Sequence, residues 1–147
     1  MMNQEGERET ATPTGQVLEF DLGSEAYCVD IRYIAEIARP IEVRPAPDSP
    51  EHVTGVLDLR GTTITIVDSR ILLQVETNAE AKRVVVFESS LFDDNEPVGW
   101  LVDRTRQVTS VSADDVEESS AYDEFVNGIV ERDGGSIVWI DPLDLHG

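Results

Sequence analysis

A repeat within the sequence is the feature that most constrains the fold. Val53–Asp68 aligns without gaps on Val126–Asp141, with five of the sixteen positions identical and five more closely similar. The offset is 73 residues, and at the same offset Tyr27–Asp30 falls on Trp100–Asp103. An offset shared by separate segments indicates two copies of one supersecondary unit. Because a unit of roughly 60 residues is marginal on its own, we expect the two copies to share a core or a tight interface.

Short apolar runs separated by turn residues indicate that each copy is built of strands. The chain contains 18 Val and 10 Ile against 10 Leu, and this bias towards β-branched residues favours strands. Alternation in the first run places Leu18, Phe20 and Leu22 on one face. Regular spacing of about ten such runs predicts an all-β barrel or sandwich. The clearest predicted strands are Val17–Leu22, Ala26–Val29, Val53–Leu59, Thr62–Asp68, Val84–Phe87, Val98–Val102, Arg106–Val111, Val126–Glu131 and Ser136–Ile140.

One segment shows helical rather than strand spacing. Its apolar residues recur at i, i+3, i+4 and i+7, namely Ile31, Ile34, Ala35 and Ala38. Asp30 is a plausible N-cap, and the helix should end near Arg39 because the residue before Pro40 is pushed out of the α region. We therefore expect a short helix after the second strand.

The net charge excludes several functions. Thirty Asp and Glu against eleven Lys and Arg give a charge of −19. Such a field repels phosphate backbones and anionic lipids, which argues against binding to nucleic acid or directly to a membrane. No apolar run approaches the roughly 18 residues of a membrane span, and the polar start has no export signal, so we expect a cytoplasmic protein. Residues 1–15 are predicted to be a disordered tail, and residues 16–147 a domain of two β subdomains.

The basic residues are almost all of one type. Lys82 is the only lysine, and the other ten basic residues are arginines. Acid excess with almost no lysine is the composition expected of a protein from an extreme halophile. In molar salt the Debye length falls to about 3 Å and the charges of the chain no longer repel one another. An ordinary acidic protein of a mesophile is the alternative.

No residue pattern points to catalysis, to a metal or to a cofactor. His52 and His146 have no metal-like spacing to each other or to Cys28, which stands at an apolar strand position. Lys82 lacks the preceding glycines of a phosphate-binding loop. With thirty carboxylates some pair will be close in any fold, so no acid–base dyad is assigned. We expect a protein without enzymatic activity, metal site or cofactor.

Arg60 is the best candidate for a binding residue. It occupies the turn between two predicted strands, and its repeat partner is Asp133, so the shared fold does not require an arginine there. An exposed arginine is most often solvated or paired with a neighbour such as Asp58. Its planar fork of donors nevertheless suits the carboxylates or backbone carbonyls of a partner. Glu36, on the predicted helix, is open to the same two interpretations.

Two glycines stand at equivalent positions of the repeat. Gly55 and Gly128 both lie inside predicted strands. A glycine within a strand usually marks a bulge or a close approach of another backbone. Duplication of the glycine favours this structural role.

Four segments resemble the family of CheW-type chemotaxis coupling proteins. Gly23–Ile37 resembles the opening signature of that family, and Pro45–Gly61 resembles its proline loop followed by a Gly-x-x-x-Leu-Arg-Gly motif. Val98–Asp103 and Val126–Ile129 are similar to its second half. The resemblance implies two packed five-stranded SH3-like barrels, which agrees with the internal duplication.

The same resemblance implies a non-enzymatic adaptor. Its partners would be the cytoplasmic signalling tip of chemoreceptors and the C-terminal regulatory domain of the histidine kinase CheA, and it would be recruited to membrane-associated receptor arrays. The receptor-binding positions of the family carry over to Ile34, Glu36, Gly55 and Arg60. Two alternatives stay open: a CheW-like scaffold in a different kinase pathway (motility or gene regulation), and a metal- or carbohydrate-binding β protein.

Overall fold

The computed structural model describes residues 15–92, 95–117, 125–132 and 135–143. All nine predicted strands are present, with ends that differ from the prediction by two residues or fewer. The rest of the predicted tail before residue 15, and Asp133 in the last hairpin, lie outside the described residues. The elements are β1 Gly15–Leu22, β2 Glu25–Asp30, β3 Ile34–Ala38, β4 Val53–Leu59, β5 Thr62–Asp68, α1 Ser69–Leu72, β6 Arg83–Phe87, β7 Val98–Val102, β8 Arg104–Val111, β9 Val116–Glu117, β10 Val126–Arg132 and β11 Gly135–Ile140.

The strands form two sheets with the same topology. Sheet I has the order β9-β10-β11-β2-β1-β8, and sheet II has the order β3-β6-β7-β5-β4. In each sheet the second strands of two hairpins pair in parallel, β11 with β2 in sheet I and β5 with β7 in sheet II. Two antiparallel strands come next in the order, β1 and β8 in sheet I and β6 and β3 in sheet II. The internal duplication is therefore visible in the strand order itself.

The two copies exchange their first hairpins. Strands β1 and β2 begin the first copy in sequence, but they pair in sheet I with β8 and β11 of the second copy. Strands β6 and β7 begin the second copy and pair in sheet II with β3 and β5 of the first. Each sheet thus contains strands from both copies, so neither sheet is complete without the other half of the chain.

Equivalent irregularities recur at the repeat offset. The β4–β5 ladder shifts register between Val53 and Gly55, and the β10–β11 ladder shifts between Val126 and Gly128. Beside these bulges, Arg44 bridges Val56, and at the same offset Glu117 pairs with Ile129. Because a glycine has no side chain, the neighbouring segment can lie close to the strand at each of these positions. A Cβ on Gly55 would lie 2.0 Å from the Arg44 carbonyl oxygen, which confirms the predicted structural role of a strand glycine at this position.

The sheets share one core and each has a second core of its own. The shared cluster contains the predicted face Leu18, Phe20 and Leu22, all 2% exposed or less. Its other members are Tyr27, Val29 and Ile140 of sheet I, and Val67, Val85, Phe87, Val98, Trp100 and Val102 of sheet II. A cluster around Trp139 is built on sheet I, and one around Ile66 on sheet II. Because the shared cluster takes side chains from both sheets, the two halves stabilise each other as the small size of the unit required.

The predicted helix over 31–39 is wrong beyond its first turn. Asp30 does cap a 3-10 turn, Ile31–Tyr33, by accepting a hydrogen bond from the Arg32 backbone N–H. The following residues form β3, which pairs with β6 and has a bulge between Ile34 and Glu36. A bulge inserts one extra residue and so changes the alternation of a strand. Ile34 packs on the shared cluster and Ala38 on the cluster of sheet II, four residues apart, and this spacing resembles that of a helix.

Candidate partner-binding site

Arg60 and Gly61 form the two-residue loop of the β4–β5 hairpin. Both have positive φ, 50° and 82°, as a type I′ hairpin turn requires. Glycine adopts this conformation freely, but a residue with a side chain loses about 1–2 kcal/mol there, and Asn or Asp tolerate it best. An arginine at this position is not explained by the turn. Its side chain is 71% exposed.

The guanidinium of Arg60 is held by Glu36. Nη2 of Arg60 donates a hydrogen bond to Oε1 of the Glu36 carboxylate, whose side chain is 29% exposed. Glu36 lies on β3 and Arg60 at the end of β4, which are the two opposite edge strands of sheet II. The ion pair therefore links the two edges of sheet II through long side chains. The expected neighbour of Arg60, Asp58, is instead paired with Arg44 at 2.9 Å.

Ile34 lies two residues before Glu36 on the same strand. It is half-buried, stands opposite Phe87 in the register and packs against the shared cluster. Of the four predicted partner-binding residues, the structure therefore brings Glu36 and Arg60 into contact. Ile34 is close to them along β3, but like its register partner Phe87 it faces the shared cluster. The helix that was expected to carry Ile34 and Glu36 is replaced there by strand β3.

Gly55 is not part of this group. It lies five residues along β4 from Arg60, which is about 17 Å at the rise of an antiparallel strand. It is buried, and the Arg44 carbonyl closes over it. Gly55 stays a predicted partner-binding residue, and what surrounds it is the backbone of its own chain.

Sequence reasoning missed a cluster on sheet I in which two exposed arginines pair with a buried carboxylate. Asp21, 8% exposed, accepts hydrogen bonds from Nε of Arg104 at 2.7 Å and from Nε of Arg106 at 2.8 Å. Burial by itself would raise the pKa of the Asp21 carboxyl, but the hydrogen bonds from Arg106 and Arg104 outweigh it, and the pKa is lowered. The only signal in the sequence is an acid at an alternating position of a strand, and that position is ordinarily solvated.

A second part of the cluster joins the two sheets. Asp103, which directly follows β7, accepts a hydrogen bond from the Gly23 backbone N–H at 2.6 Å. Its other oxygen lies 3.6 Å from Nη1 of Arg70 on α1, and Nε of Arg70 donates to Asp68 at 2.9 Å. These groups tie the β1–β2 turn of sheet I to the end of sheet II. The sequence signal was an Asp-x-Arg pattern, which occurs at Asp30, Asp58 and Asp68, and the two residues of the pattern pair with each other at Asp30 and Asp68.

Neither a membrane-spanning helix nor a metal-binding cluster is found among the described residues. None of the helices in the described ranges has the length and apolar character that a membrane span requires. In the same part of the chain, no three side chains of His, Cys, Asp or Glu lie close enough together to hold a metal ion. The described site presents an exposed arginine that is oriented by an ion pair, a feature suited to binding another protein.

The fold and the site define a β scaffold of two packed SH3-like barrels whose exposed anchor lies on the seam of one barrel. A family model described as a CheW-like domain matches residues 16–146. The chemotaxis protein CheW of Treponema pallidum is 30% identical over 138 residues, which cover 89% of this chain and 79% of that protein. The chemotaxis protein CheW of Thermotoga maritima is 26% identical, over 86% of this chain and 83% of that one.

A solved structure has the same fold. The scaffolding protein TtCheW from Thermoanaerobacter tengcongensis superimposes with a TM-score of 0.80 at 23% identity, and covers 92% of this chain and 89% of its own. The chain belongs to the CheW family. The all-β fold of two SH3-like barrels is confirmed, as is the function of a chemotaxis adaptor that couples receptors to CheA; the alternative of a different kinase pathway is not favoured.

Proposed function

We propose that the cytoplasmic signalling tip of a chemoreceptor docks on the surface formed by Arg60, Glu36 and Ile34. The observation that carries this proposal is Arg60 itself, an exposed arginine kept in a backbone conformation that disfavours it and aimed by an ion pair across the seam. Its remaining N–H donors suit carboxylates or carbonyls at the end of a helical hairpin. Ile34, half-buried next to the shared core, supplies an apolar contact that docking would desolvate.

The second partner in this proposal is the C-terminal regulatory domain of CheA. The resemblance implies that this domain has the same fold, so that adaptor and kinase pack barrel to barrel. The adaptor performs no chemistry in this scheme. It positions the kinase relative to the receptor, and signalling shifts the population of that geometry. The protein would then act in the cytoplasm, recruited to membrane-associated receptor arrays.

The composition supports a further part of the proposal, an origin in a salt-rich cell. The net charge is −19, and only one of the eleven basic residues is a lysine. In dilute buffer the acidic side chains of such a chain repel one another over about 10 Å, which destabilises the fold. Binding to receptor and kinase should therefore be measured in molar salt as well as in dilute buffer.

Arg60→Glu should abolish receptor binding without unfolding the protein. Binding is measured with a receptor signalling fragment captured on beads. We expect the affinity to fall at least about tenfold, because the substitution removes the guanidinium and reverses the charge at that position. Arg44→Glu is the matched control. It makes the same change in net charge at another exposed arginine of sheet II and should bind as the wild type does.

A charge swap separates recognition from local structure. Arg60→Glu combined with Glu36→Arg keeps an ion pair across the seam, so the barrel should keep its stability. If the receptor recognises Arg60, this double variant still fails to bind. Recovery of wild-type affinity in the double variant, or its retention in the single one, would remove Arg60 from the site.

A further inference from the structure

A polar contact joins the two sheets at one of the two points where the chain crosses between them. The chain passes from sheet II to sheet I at Asp103 and from sheet I to sheet II after Asp30, and these aspartates are equivalent at the repeat offset. Asp103 accepts a hydrogen bond from the Gly23 backbone N–H of sheet I at 2.6 Å, and its other oxygen forms an ion pair with Arg70 on α1 at 3.6 Å. We call Gly23, Asp103 and Arg70 the polar tie.

Arg70 is itself held in place by its surroundings. Its Nε donates to Asp68 at 2.9 Å, its Nη1 donates to the Ala79 carbonyl oxygen at 2.6 Å, and its side chain is only 18% exposed. The segment after α1 also packs on the β1–β2 turn, since a Cβ on Gly23 would lie 3.2 Å from the Cβ of Thr77. Hydrogen bonds constrain direction as well as distance, so the polar tie resists movement of one sheet against the other at this crossover.

The equivalent crossover is built differently. At the repeat offset, Leu143 takes the place of Arg70 and cannot form an ion pair. The hydrogen bonds that the Asp30 carboxylate accepts in the described part of the chain all come from Arg32, two residues away. The residues after Asp30 that pack on the shared cluster are Ile31, Tyr33 and Ile34. Apolar contacts are non-directional and allow packed surfaces to slide by small amounts.

The two crossovers lie at opposite ends of the interface between the sheets. Gly23 precedes β2 and Asp30 ends it, which separates them by about 24 Å at the rise of an antiparallel strand. When one end of such an interface is fixed by directional bonds and the other is not, reorientation of the sheets produces its largest displacement at the end without them. Ile34 and Glu36 on β3 directly follow that end.

We propose that the polar tie is a pivot between the two sheets, and that the crossover after Asp30 opens and closes as the sheets reorient. The motion changes the position of β3, and with it the surface on which the receptor tip is proposed to dock. This consequence rests on the proposed function, whereas the pivot does not. A receptor tip bound at β3 selects one orientation of the sheets, and a partner on the other sheet then meets a changed surface.

Spin labels across the polar tie provide the reference measurement. Ser24→Cys places one label on the β1–β2 turn, and Ile71→Cys places the other on α1, next to Arg70. Both positions are exposed, whereas the native Cys28 is 0% exposed and should not react with the label. Pulsed EPR on the full chain should give a narrow distribution of distances for this pair.

A second pair of labels spans the other crossover. Gln16→Cys lies at the start of β1 and Glu88→Cys directly after β6, and both positions are exposed and close to the 3-10 turn that follows Asp30. We expect a distance distribution at least about twofold wider than that of the first pair, because this crossover slides on apolar contacts. A bound receptor signalling fragment should narrow this distribution and leave that of the first pair unchanged.

Variants show whether the polar tie is responsible. Arg70→Leu introduces the residue type of the other half and should widen the distribution of the first pair at least about twofold. Arg32→Leu is the matched control, because Arg32 pairs with its aspartate inside one crossover, and it should leave that distribution unchanged. Equal widths of the two pairs in the wild type, no widening in Arg70→Leu, or equal widening in Arg32→Leu would overturn the pivot.

The receptor measurements separate this inference from the proposed docking site. If a receptor fragment binds but leaves both distributions unchanged, control of docking by the pivot is overturned. If Arg60→Glu binds the fragment as the wild type does, the docking site is contradicted, and the widths measured without receptor still decide the pivot.

Discussion

Gly55 and Gly128 occupy the same position in the two halves of the chain and face equivalent backbone carbonyls, but the closest atom differs between them. At Gly55 an added Cβ would lie 2.0 Å from the Arg44 carbonyl oxygen, and this oxygen already accepts a hydrogen bond from Val56 at 2.8 Å. At Gly128 the nearest atom is a side-chain methyl of Val116, at 2.6 Å, and the equivalent backbone oxygen, that of Glu117, is 3.2 Å away. A methyl group can rotate away, but a paired backbone cannot move without breaking its hydrogen bonds.

Gly55→Ala should therefore destabilise the protein more than Gly128→Ala. We expect losses of about 3 kcal/mol and about 1 kcal/mol in the free energy of unfolding, at the two ends of the range for overpacked sites. Urea unfolding followed by the fluorescence of the buried Trp100 and Trp139 measures both. Equal losses would show that the backbone over Gly55 yields as easily as a methyl group.

The same comparison affects how binding data on Gly55 are interpreted. A variant at this position changes the approach of the segment around Arg44 before it changes any surface. Loss of a partner in such a variant is informative only if the variant unfolds at the same urea concentration as the wild type.

At the scale of the elements, β1 and β8 are joined by charge as well as by their ladder. The side chains of β1 that face away from the shared core include Asp21, whose partners on β8 are Arg104 and Arg106. Glu19 is buried on the same side and accepts a hydrogen bond from the Thr109 hydroxyl at 2.5 Å. This pairing holds the exchanged first hairpin to a strand of the other copy.

Asp21→Asn should weaken the fold in a pH-dependent way. Because the pKa of Asp21 in the folded protein is lowered from 3.8, its ionised form stabilises the fold above that pH, and the contribution is lost as pH falls through the folded pKa. We expect the variant to be about 1 kcal/mol less stable at neutral pH, with the difference shrinking below about pH 4. Urea unfolding over a pH series measures it, with the exposed Asp58→Asn as control. A difference that persists unchanged in acid would contradict the assignment.

β3 shows why a local pattern can mislead at this scale. The bulge between Ile34 and Glu36 moves apolar residues to spacings of three and four, and the capped turn before it adds a correct helix-start signal at Asp30. The segment forms a strand because the backbone N–H and C=O groups along one side of β6 pair with it, and β6 lies about fifty residues away in the chain. A pattern confined to 31–39 contains no information about that partner.

For the whole molecule, the balance of charge predicts a dependence on salt. If the acid excess is an adaptation to molar salt, screening should raise the melting temperature by about 10 °C between about 0.1 M and about 2 M KCl. Circular dichroism measures the transition, and sucrose of equal osmolality serves as a control that screens no charge. Equal melting temperatures in the two salt concentrations would end the halophile hypothesis.

The sequence was sufficient wherever the determining contacts are local. Alternation and turn residues placed nine strands, the repeat predicted two similar β units that share a core, and the position between two strands placed Arg60 in a turn. These properties depend on neighbours within a few residues, because strand period and turn chemistry act over that range.

Only the tertiary structure decided how those pieces combine. The exchange of first hairpins between the copies and the Glu36 partner of Arg60 both depend on which strands lie side by side. Parallel pairing of β5 with β7, and the ion pair that links β3 to the end of β4, join residues far apart in the chain. Burial of one shared cluster selects that arrangement, and burial is a property of the packed molecule rather than of any single segment.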